Sequence, residues 1–288
     1  MHWTLASIFM FASSIVFYLS VKKLQVIGVD KRIYTLANYV FPSCIFFIFA
    51  IVQGISLWLA VWMIIAIFLA RVGFNYVGTI AGYKGMEEAP NAGYSLVIQK
   101  SYAAYTLFAS TVLYGSELPL HKVLLSIMIL ISAFAITITR GKKLSITNYR
   151  WAIYSLVAFF CFGAISLSSK YFANIGVGAI PQLFWSMFLT LCLTTGDIFR
   201  VKKRMSFTFG KQAIFFMIIL GISVTSFYYF KLVAEIASPN IGYVGAINAG
   251  SNAFYTVIVA LLFKDSLSWK KFLAVLVLTV GLVLLLFS

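Results

Sequence analysis

The sequence predicts an all-α integral membrane protein in which ten transmembrane helices form two inverted five-helix repeats. Three observations support this prediction: the chain is strongly apolar, its apolar segments match the thickness of a bilayer, and its two halves resemble each other. Of the 288 residues, 62% are hydrophobic and only 10% are charged, whereas a soluble domain contains about 25% charged residues. This composition excludes a soluble globular domain and is typical of a membrane protein.

Ten apolar segments are long enough to cross a membrane. About 20 residues, each rising 1.5 Å along an α-helix, cross a hydrocarbon core of about 30 Å. We place the segments near residues 3–21, 33–53, 56–80, 90–114, 120–139, 151–169, 179–199, 212–236, 239–263 and 267–287. Runs such as AVLVLTVGLVLLLF show no apolar–polar alternation, so helices are favoured over the strands of a barrel.

The first segment is interpreted as a permanent helix, because MHWTLASIF lacks the basic region that precedes the apolar run of a signal peptide. The three cysteines, Cys44, Cys161 and Cys192, lie singly in apolar segments and form no C-x-x-C motif. We therefore expect them to be buried in packing, with neither a disulfide framework nor a metal site. The sequence predicts no cofactor.

The net charge of +15 is concentrated on one side of the predicted membrane. Seventeen of the 22 Lys and Arg residues fall in the loops after segments 1, 3, 5, 7 and 9, whereas only Lys122 and Lys170 fall in loops on the other side. By the positive-inside rule the rich side is cytoplasmic, which places both termini outside and predicts a bacterial inner membrane protein. Membrane topology thus explains the excess of basic residues, and no nucleic-acid partner is expected. The expected partners are membrane lipids and a small-molecule substrate. The sequence is compatible with a monomer.

The second half of the chain repeats the first. A shift of 149 residues aligns PNAGY, from Pro90, with PNIGY, from Pro239, and continues without a gap into the next segment. Earlier in each half, a shift of 148 residues aligns LSVKKLQVIGV with LSSKYFANIGV. This frame predicts a first repeat over residues 1–140, a cytoplasmic connector over 141–150 and a second repeat over 151–288. Since each repeat has five crossings, an odd number, the second copy enters the membrane inverted.

The stretch LLFKDSLSWKKFLAVLVLTVGLVLLL, with Asp265 and Gly281, resembles the late signature of the drug/metabolite transporter superfamily, and in particular its ten-helix EamA branch. In the first half, YGSELPLHKVLL matches the acidic-x-leucine turn of that family at Glu117, but Ser132 stands at the position of Gly281. The resemblance covers essentially the whole chain. It implies a central cavity lined by segments 1, 3, 4, 6, 8 and 9. The family carries amino acids, sugars, nucleotide derivatives, vitamins and organic cations, so the resemblance does not choose a substrate.

Lys100 is the leading candidate for a substrate-binding residue. It lies about ten residues, roughly 15 Å, inside the fourth segment, and its counterpart in the second repeat is Ala249. A charge at that depth costs on the order of 3 kcal/mol and indicates a functional site by default. The structural alternatives are a neutral lysine, or one paired with backbone carbonyls or a carboxylate.

Further polar residues within the segments either contact a substrate or hydrogen-bond neighbouring helices. Arg71 either lines the cavity or extends its side chain towards the headgroups. The complete predicted set consists of Lys100, Arg71, Asn75, Tyr94, Gln99, Tyr102, Tyr243, Asn248 and Asn252. Two pairs at i, i+4 spacing, Lys84 with Glu88 and Lys231 with Glu235, are interpreted as helix-end pairs or, alternatively, as gates.

The charge pattern within the segments predicts the class of substrate. All seven Asp and Glu residues fall at segment ends or in loops, so we expect an electropositive cavity that moves an anionic or zwitterionic solute, such as an amino acid, a carboxylate or a phosphorylated metabolite. The alternatives are an exporter of amphipathic or cationic compounds and a non-transporting membrane or lipid-handling protein. No enzyme is expected, since the sequence has no H-E-x-x-H or G-x-S-x-G motif and no carboxylate cluster.

Overall fold

The structure is a computed structural model and describes residues 2–89, 95, 98–137, 150–200, 210–262 and 269–287. Within these residues the chain forms ten helices and no β-strand. They are α1 (Trp3–Ile27), α2 (Lys31–Val52), α3 (Val61–Ile67, Phe68–Gly73 and Phe74–Glu88 in succession), α4 (Tyr102–Tyr114), α5 (Leu120–Thr137), α6 (Arg150–Asn174), α7 (Ala179–Arg200), α8 (Lys211–Ala237), α9 (Ile241–Leu262) and α10 (Trp269–Phe287). The middle part of α3 is a π-helical turn.

The prediction of an α-helical membrane protein is confirmed. Six helices are long and apolar enough to span a membrane, namely α1, α2, α3, α6, α7 and α8, while α5 and α10 contain shorter apolar stretches. Large apolar side chains also point outwards, as shown by Trp58, Val112 and Phe287, which are 91%, 84% and 81% exposed. Such a surface is unfavourable in water and suits a lipid environment. Ten crossings remain a prediction.

Several helix boundaries differ from those predicted, because glycines and capping residues end the helices. α1 continues to Ile27 and ends at Gly28, which has a φ of 84° and satisfies the last carbonyls of the helix. α3 begins at Val61 and not at residue 56. The preceding residues 55–60 are not helical, and the carbonyl of Leu57 accepts a hydrogen bond from Trp185 Nε1 at 2.9 Å.

The fourth predicted segment, 90–114, ends at Tyr114 as expected, and its described part is helical except for a turn at Ser101. Residues 98–100 form a helical stretch, the chain turns at Ser101, and α4 then runs to Tyr114. The αL glycine Gly115, with a φ of 61°, ends the helix. The expected start at Pro90 lies outside the described residues.

The helices of the two halves are interleaved. α1 packs chiefly against α8, and α6 packs chiefly against α3. The contact of α1 with α9 corresponds to that of α6 with α4. The contact of α2 with α8 corresponds to that of α7 with α3. Each of these contacts therefore has a counterpart in which every helix is replaced by the one five places away. This exchange is what two copies related by a two-fold axis produce.

The expectation that the cysteines are buried is correct only for Cys161, which is 6% exposed. Cys44 and Cys192 are exposed on the outside of the helices. Both lie in apolar helices, so in a membrane a small apolar thiol at these positions faces lipid as readily as it would pack inside the protein.

Close approach of α9 to α4 requires glycine at position 242. A Cβ atom on Gly242 would lie 2.5 Å from Leu107 Cα and 2.7 Å from Leu107 N. Small residues permit such backbone contact between helices. At the same end of α9, Asn240 Nδ2 donates to the carbonyl of Leu107 at 3.1 Å, which fixes the α8–α9 turn on α4.

We expect Gly242→Ala to lower the free energy of unfolding by about 1–3 kcal/mol, because the clash is with backbone atoms that cannot move independently. The matched control is Gly196→Ala in α7, where a Cβ atom would meet nothing within 4 Å; there alanine should be neutral or stabilising by up to about 1 kcal/mol. Unfolding of the purified protein in mixed detergent and SDS measures both effects. Equal stability of the two variants would contradict the packing of α4 on α9.

Candidate functional site

A cavity of about 450 Å³ lies among the helices, and residues of α1 to α9 line it. Its volume is in the range of small-molecule sites. The resemblance implied walls made by segments 1, 3, 4, 6, 8 and 9. The structure adds α2, α5 and α7, through residues that include Asn38, Phe134 and Thr190, because these helices also reach the space between the two halves.

The walls of the cavity are built from equivalent positions of the two halves. Nine pairs of lining positions are related by the sequence shifts of 148 or 149 residues. The pairs are Phe17 and Ile165, Asn38 and Ser186, Tyr39 and Met187, Thr79 and Tyr228, Gly82 and Lys231, Tyr83 and Leu232, Met86 and Glu235, Gln99 and Asn248, and Lys100 and Ala249. The offsets found in the sequence therefore also relate the residues that face this space.

The charges on these walls do not follow the same symmetry. In three of the nine pairs one member is charged and the equivalent residue of the other half is uncharged. These are Lys231 with Gly82, Glu235 with Met86, and Lys100 with Ala249. These nine pairs are thus symmetric in position and asymmetric in charge. A solute bound there meets different chemistry from the two halves.

Arg71 lies on the wall of the cavity and does not reach the surface, since it is only 7% exposed. It belongs to the π-helical turn Phe68–Gly73, a distortion that is frequent at functional sites. Its Nε donates to Ser186 Oγ at 3.0 Å and its Nη1 donates to Ser169 Oγ at 2.8 Å. Two serines from the other half of the chain therefore hold the guanidinium in place.

Glu235 also lines the cavity, and the interpretation that no carboxylate does so is wrong. Its side chain is 4% exposed, lies 3.5 Å from Lys231 Nζ through Oε1, and accepts a hydrogen bond from Ser169 Oγ at 2.7 Å through Oε2. Glu235 is close to the end of α8, but the following turn is itself buried, with Ser238 and Asn240 3% and 0% exposed. The end of this helix is therefore inside the protein, and the Lys231–Glu235 pair lies in the cavity.

Lys100 lies in the cavity wall, as predicted from its depth in the sequence. Among the described residues it has no hydrogen-bond acceptor and no carboxylate within ion-pair distance, and the charge that acts on it is the ammonium of Lys231. The neighbouring Gln99 is turned into the protein, where its Nε2 donates to the Gly82 carbonyl at 3.1 Å and to Ser95 Oγ at 2.9 Å. The described part of the cavity therefore contains three cations, Arg71, Lys100 and Lys231, and one carboxylate, Glu235.

Three other predicted residues line the cavity. Asn248 Nδ2 donates to Tyr102 Oη at 3.2 Å, and Lys231 Nζ lies 5.9 Å from the centre of the Tyr102 ring. Asn75 lies within hydrogen-bonding reach of Tyr39. Tyr102 and Asn248 thus connect α4 to α8 and α9, and substrate contact by these three residues stays a prediction.

Tyr243 does not lie in the cavity, and its assignment to the site is wrong. It is fully buried, packs 6.3 Å from the ring of Trp3 and donates to the Glu117 carbonyl at 3.4 Å. Five residues along a helix amount to about 140° of rotation beyond a full turn. Because Asn248 faces the cavity, Tyr243 must face the packed core on the opposite side of α9.

Lys84 and Glu88 do not form the predicted pair. Both are exposed and neither lines the cavity. Lys84 Nζ lies 5.6 Å above the ring of Tyr154, and among the described residues no ion pair joins it to Glu88. Tyr94 lies outside the described residues, and the same holds for the side chain of Asn252.

Sequence reasoning missed the serines and most tyrosines of the site. Ser169 and Ser186, which hold Arg71, lie 98 and 115 residues from it along the chain. The other tyrosines that line the cavity are Tyr18, Tyr39, Tyr83, Tyr228 and Tyr255. The local sequence around these residues offers no signal that separates them from serines and tyrosines that pack elsewhere.

No protein-family model and no curated protein matches the chain. A solved structure described only as "Crystal structure of protein" matches it with a TM-score of 0.79 and 14% sequence identity, over 97% of this chain and 94% of the other. At this identity the match establishes a shared fold and carries no information on function.

Proposed function

We propose that the protein is a membrane transporter that moves a small anionic or zwitterionic metabolite by alternating access between two inverted five-helix halves. The observation that carries this proposal is the ammonium of Lys100 on the cavity wall, which has no carboxylate partner among the described residues. The proposal includes ten crossings, cytoplasmic basic loops and membership of the drug/metabolite transporter superfamily.

Two structural features support the inverted repeat. The helix contacts obey an exchange of each helix for the one five places away, and nine pairs of cavity positions obey the two sequence shifts. A site at the interface of two equivalent halves allows each half to adopt the conformation of the other, which opens the site to one side of the membrane at a time.

The charges favour an acidic solute. A cation buried at membrane depth costs on the order of 3 kcal/mol, and a bound carboxylate or phosphate offsets that cost through charge-assisted hydrogen bonds. The carboxylate of Glu235 is already engaged by Lys231 and Ser169. It therefore does not offer a free partner to an organic cation, which disfavours the multidrug alternative.

In the proposed cycle, Lys100 binds the acidic group while Tyr102 and Asn248 orient the remainder of the solute. The α8–α9 turn is closed in this structure, because Asn240 donates to Leu107 on α4 and Lys170 Nζ donates to the Ser238 carbonyl at 3.2 Å. Opening on that side requires these bonds to break.

A thermal-stability screen of the purified protein tests the proposal. Carboxylates, phosphates, amino acids and organic cations are tested on wild type, Lys100→Ala and, as a control, Lys211→Ala at the exposed start of α8. A solute at about 100 times its Kd adds roughly 2.7 kcal/mol of stability. We expect stabilisation by acidic solutes in wild type and the control but not in Lys100→Ala. Stabilisation by cations alone, unchanged in Lys100→Ala, would contradict the proposal.

A further inference from the structure

We propose that the solute is a small organic dianion with two separate acidic groups, one bound at Lys100 and the other at Arg71. This inference rests on the proposed function and narrows its substrate class. It follows from the charge balance of the cavity, from the hydrogen-bond donors that remain unused in its described part, and from the different levels at which the two cations leave the backbone.

The charge balance leaves two positive charges without a counterion. Lys231 and Glu235 neutralise each other at 3.5 Å. Arg71 does not pair directly with Glu235, because Ser169 lies between them, accepting from Arg71 Nη1 at 2.8 Å and donating to Glu235 Oε2 at 2.7 Å. Both oxygens of Glu235 are thus engaged. Arg71 and Lys100 together leave a surplus of two positive charges among the described residues of the cavity.

Both surplus cations keep donors available for a ligand. Ser186 and Ser169 occupy Nε and Nη1 of Arg71, whereas Nη2 has no acceptor in the part of the chain that the structure describes. The guanidinium is therefore fixed by its serines with one nitrogen left for a second carboxylate or phosphate. Lys100 offers three N–H donors under the same condition. Buried charged donors without acceptors are costly, and a ligand that satisfies them removes that cost.

The two cations lie at different levels of the cavity. Gly82 follows Arg71 by eleven residues, which is roughly 16 Å along a helix. The Gly82 carbonyl accepts a hydrogen bond from Gln99, the residue before Lys100. Lys231 is close enough to act electrostatically on both Arg71 and Lys100. One acidic group cannot stay close to both cations without drawing the side chains together, so two groups on one molecule fit better than one.

A zwitterion fits this arrangement less well than a dianion. The ammonium group of an amino acid needs an acceptor of negative charge, and the carboxylate of Glu235 is 4% exposed and already bonded on both oxygens. Placing a third ammonium beside Arg71 or Lys231 adds like-charge repulsion in a site of low dielectric constant. Tyr39 and Tyr228, which also line the cavity, provide rings and hydroxyls for the part of the solute that joins its acidic groups.

Matched ligands test the inference on the purified full-length protein by isothermal titration calorimetry. The probes are succinate, adipate and suberate, their monomethyl esters, the ω-amino acids of the same lengths, and glycerol 3-phosphate. We expect the dicarboxylate of best length to bind wild type at least about ten-fold more tightly than its monoester or its amino acid. In Lys100→Met and in Arg71→Met this preference should fall to about three-fold or less, and in Lys211→Met it should be kept.

Each other outcome overturns a defined part of the account. A monoester or amino acid that binds as tightly as the dicarboxylate refutes the dianion and leaves an anion transporter. Glycerol 3-phosphate that binds more tightly than every dicarboxylate refutes the two separate groups. Absence of binding by all acidic probes refutes the proposed function itself. If Arg71→Met does not fold, Lys100→Met decides the test, and an unchanged ten-fold preference in that variant refutes the inference.

Discussion

Replacing Glu235 with alanine is expected to lower the free energy of unfolding by about 3–5 kcal/mol, because removal of one partner of a buried ion pair leaves the other charge uncompensated. The substitution removes more than one ion pair, since the Glu235 carboxylate contacts Lys231 at 3.5 Å and is linked to Arg71 through Ser169. Without it, Arg71, Lys100 and Lys231 would be three cations in one cavity. The effect is measured by reversible unfolding of the purified protein in mixed detergent and SDS.

The counterpart positions in the first half supply the control. Met86 and Gly82 stand where Glu235 and Lys231 stand in the second half, so the uncharged pair is compatible with this architecture. The double variant Lys231→Met, Glu235→Met removes both charges and should recover most of the lost stability, as neutral replacement of a buried pair does. A Glu235→Ala variant within about 1 kcal/mol of wild type would contradict the placement of the pair inside the protein.

Replacing Lys100 with methionine is expected to change stability and binding in opposite directions. In the proposed topology, loss of a charge that has no counterion among the described residues should raise the free energy of unfolding, by up to about 3 kcal/mol. Affinity for acidic solutes should fall by about 10- to 100-fold, since hydrogen bonds to charged groups contribute about 1.5–3 kcal/mol each. A variant that merely misfolds would lose both, so the opposite signs identify a binding residue.

Thermal unfolding without and with a saturating acidic solute measures both quantities on one sample. Lys211→Met, which changes an exposed lysine at the start of α8, serves as the control and should match wild type in each measurement. A Lys100→Met protein that is less stable than wild type and binds acidic solutes equally well would mean that Lys100 supports packing.

Composition and short stretches of sequence predicted the membrane class, most helices and the position of Lys100 on the cavity wall. Composition and segment length suffice for an apolar helical protein, and the depth of Lys100 in its segment was enough to place it in the cavity. The helix ends were less predictable, because Gly28 and Gly115 end helices through αL conformations that depend on a few atoms of the cap.

The remaining features of the site depend on contacts distant in sequence. Glu235 was assigned to a helix end because only two residues separate it from the turn at Ser238. The burial of that turn against α4 shows that the helix ends inside the protein. Tyr243 was assigned by its place in the repeated motif, whereas its rotation about α9 directs it to Trp3. The serines that hold Arg71 come from α6 and α7, and no local pattern announces such partners.

The asymmetric lysine has a physical explanation in this account. In the proposed mechanism the two halves supply equivalent wall positions, but an acidic group of the solute needs only one cation. Lys100 in the first half is therefore replaced by Ala249 at the equivalent position of the second half. A second lysine at position 249 would add another unpartnered cation to a cavity that already holds a surplus. The repeat therefore accounts for the shape of the site, and departures from the repeat account for its selectivity.

The central claim, that the cavity carries an acidic solute across the membrane by means of Lys100, is tested most directly by counterflow in proteoliposomes. Vesicles are loaded with the dicarboxylate that binds the purified protein most tightly, and uptake of external labelled dicarboxylate is followed over time. The account predicts a transient accumulation of label above equilibrium in wild type and Lys211→Met, and its loss in Lys100→Met. Absence of counterflow in wild type, or equal counterflow in Lys100→Met, would contradict it.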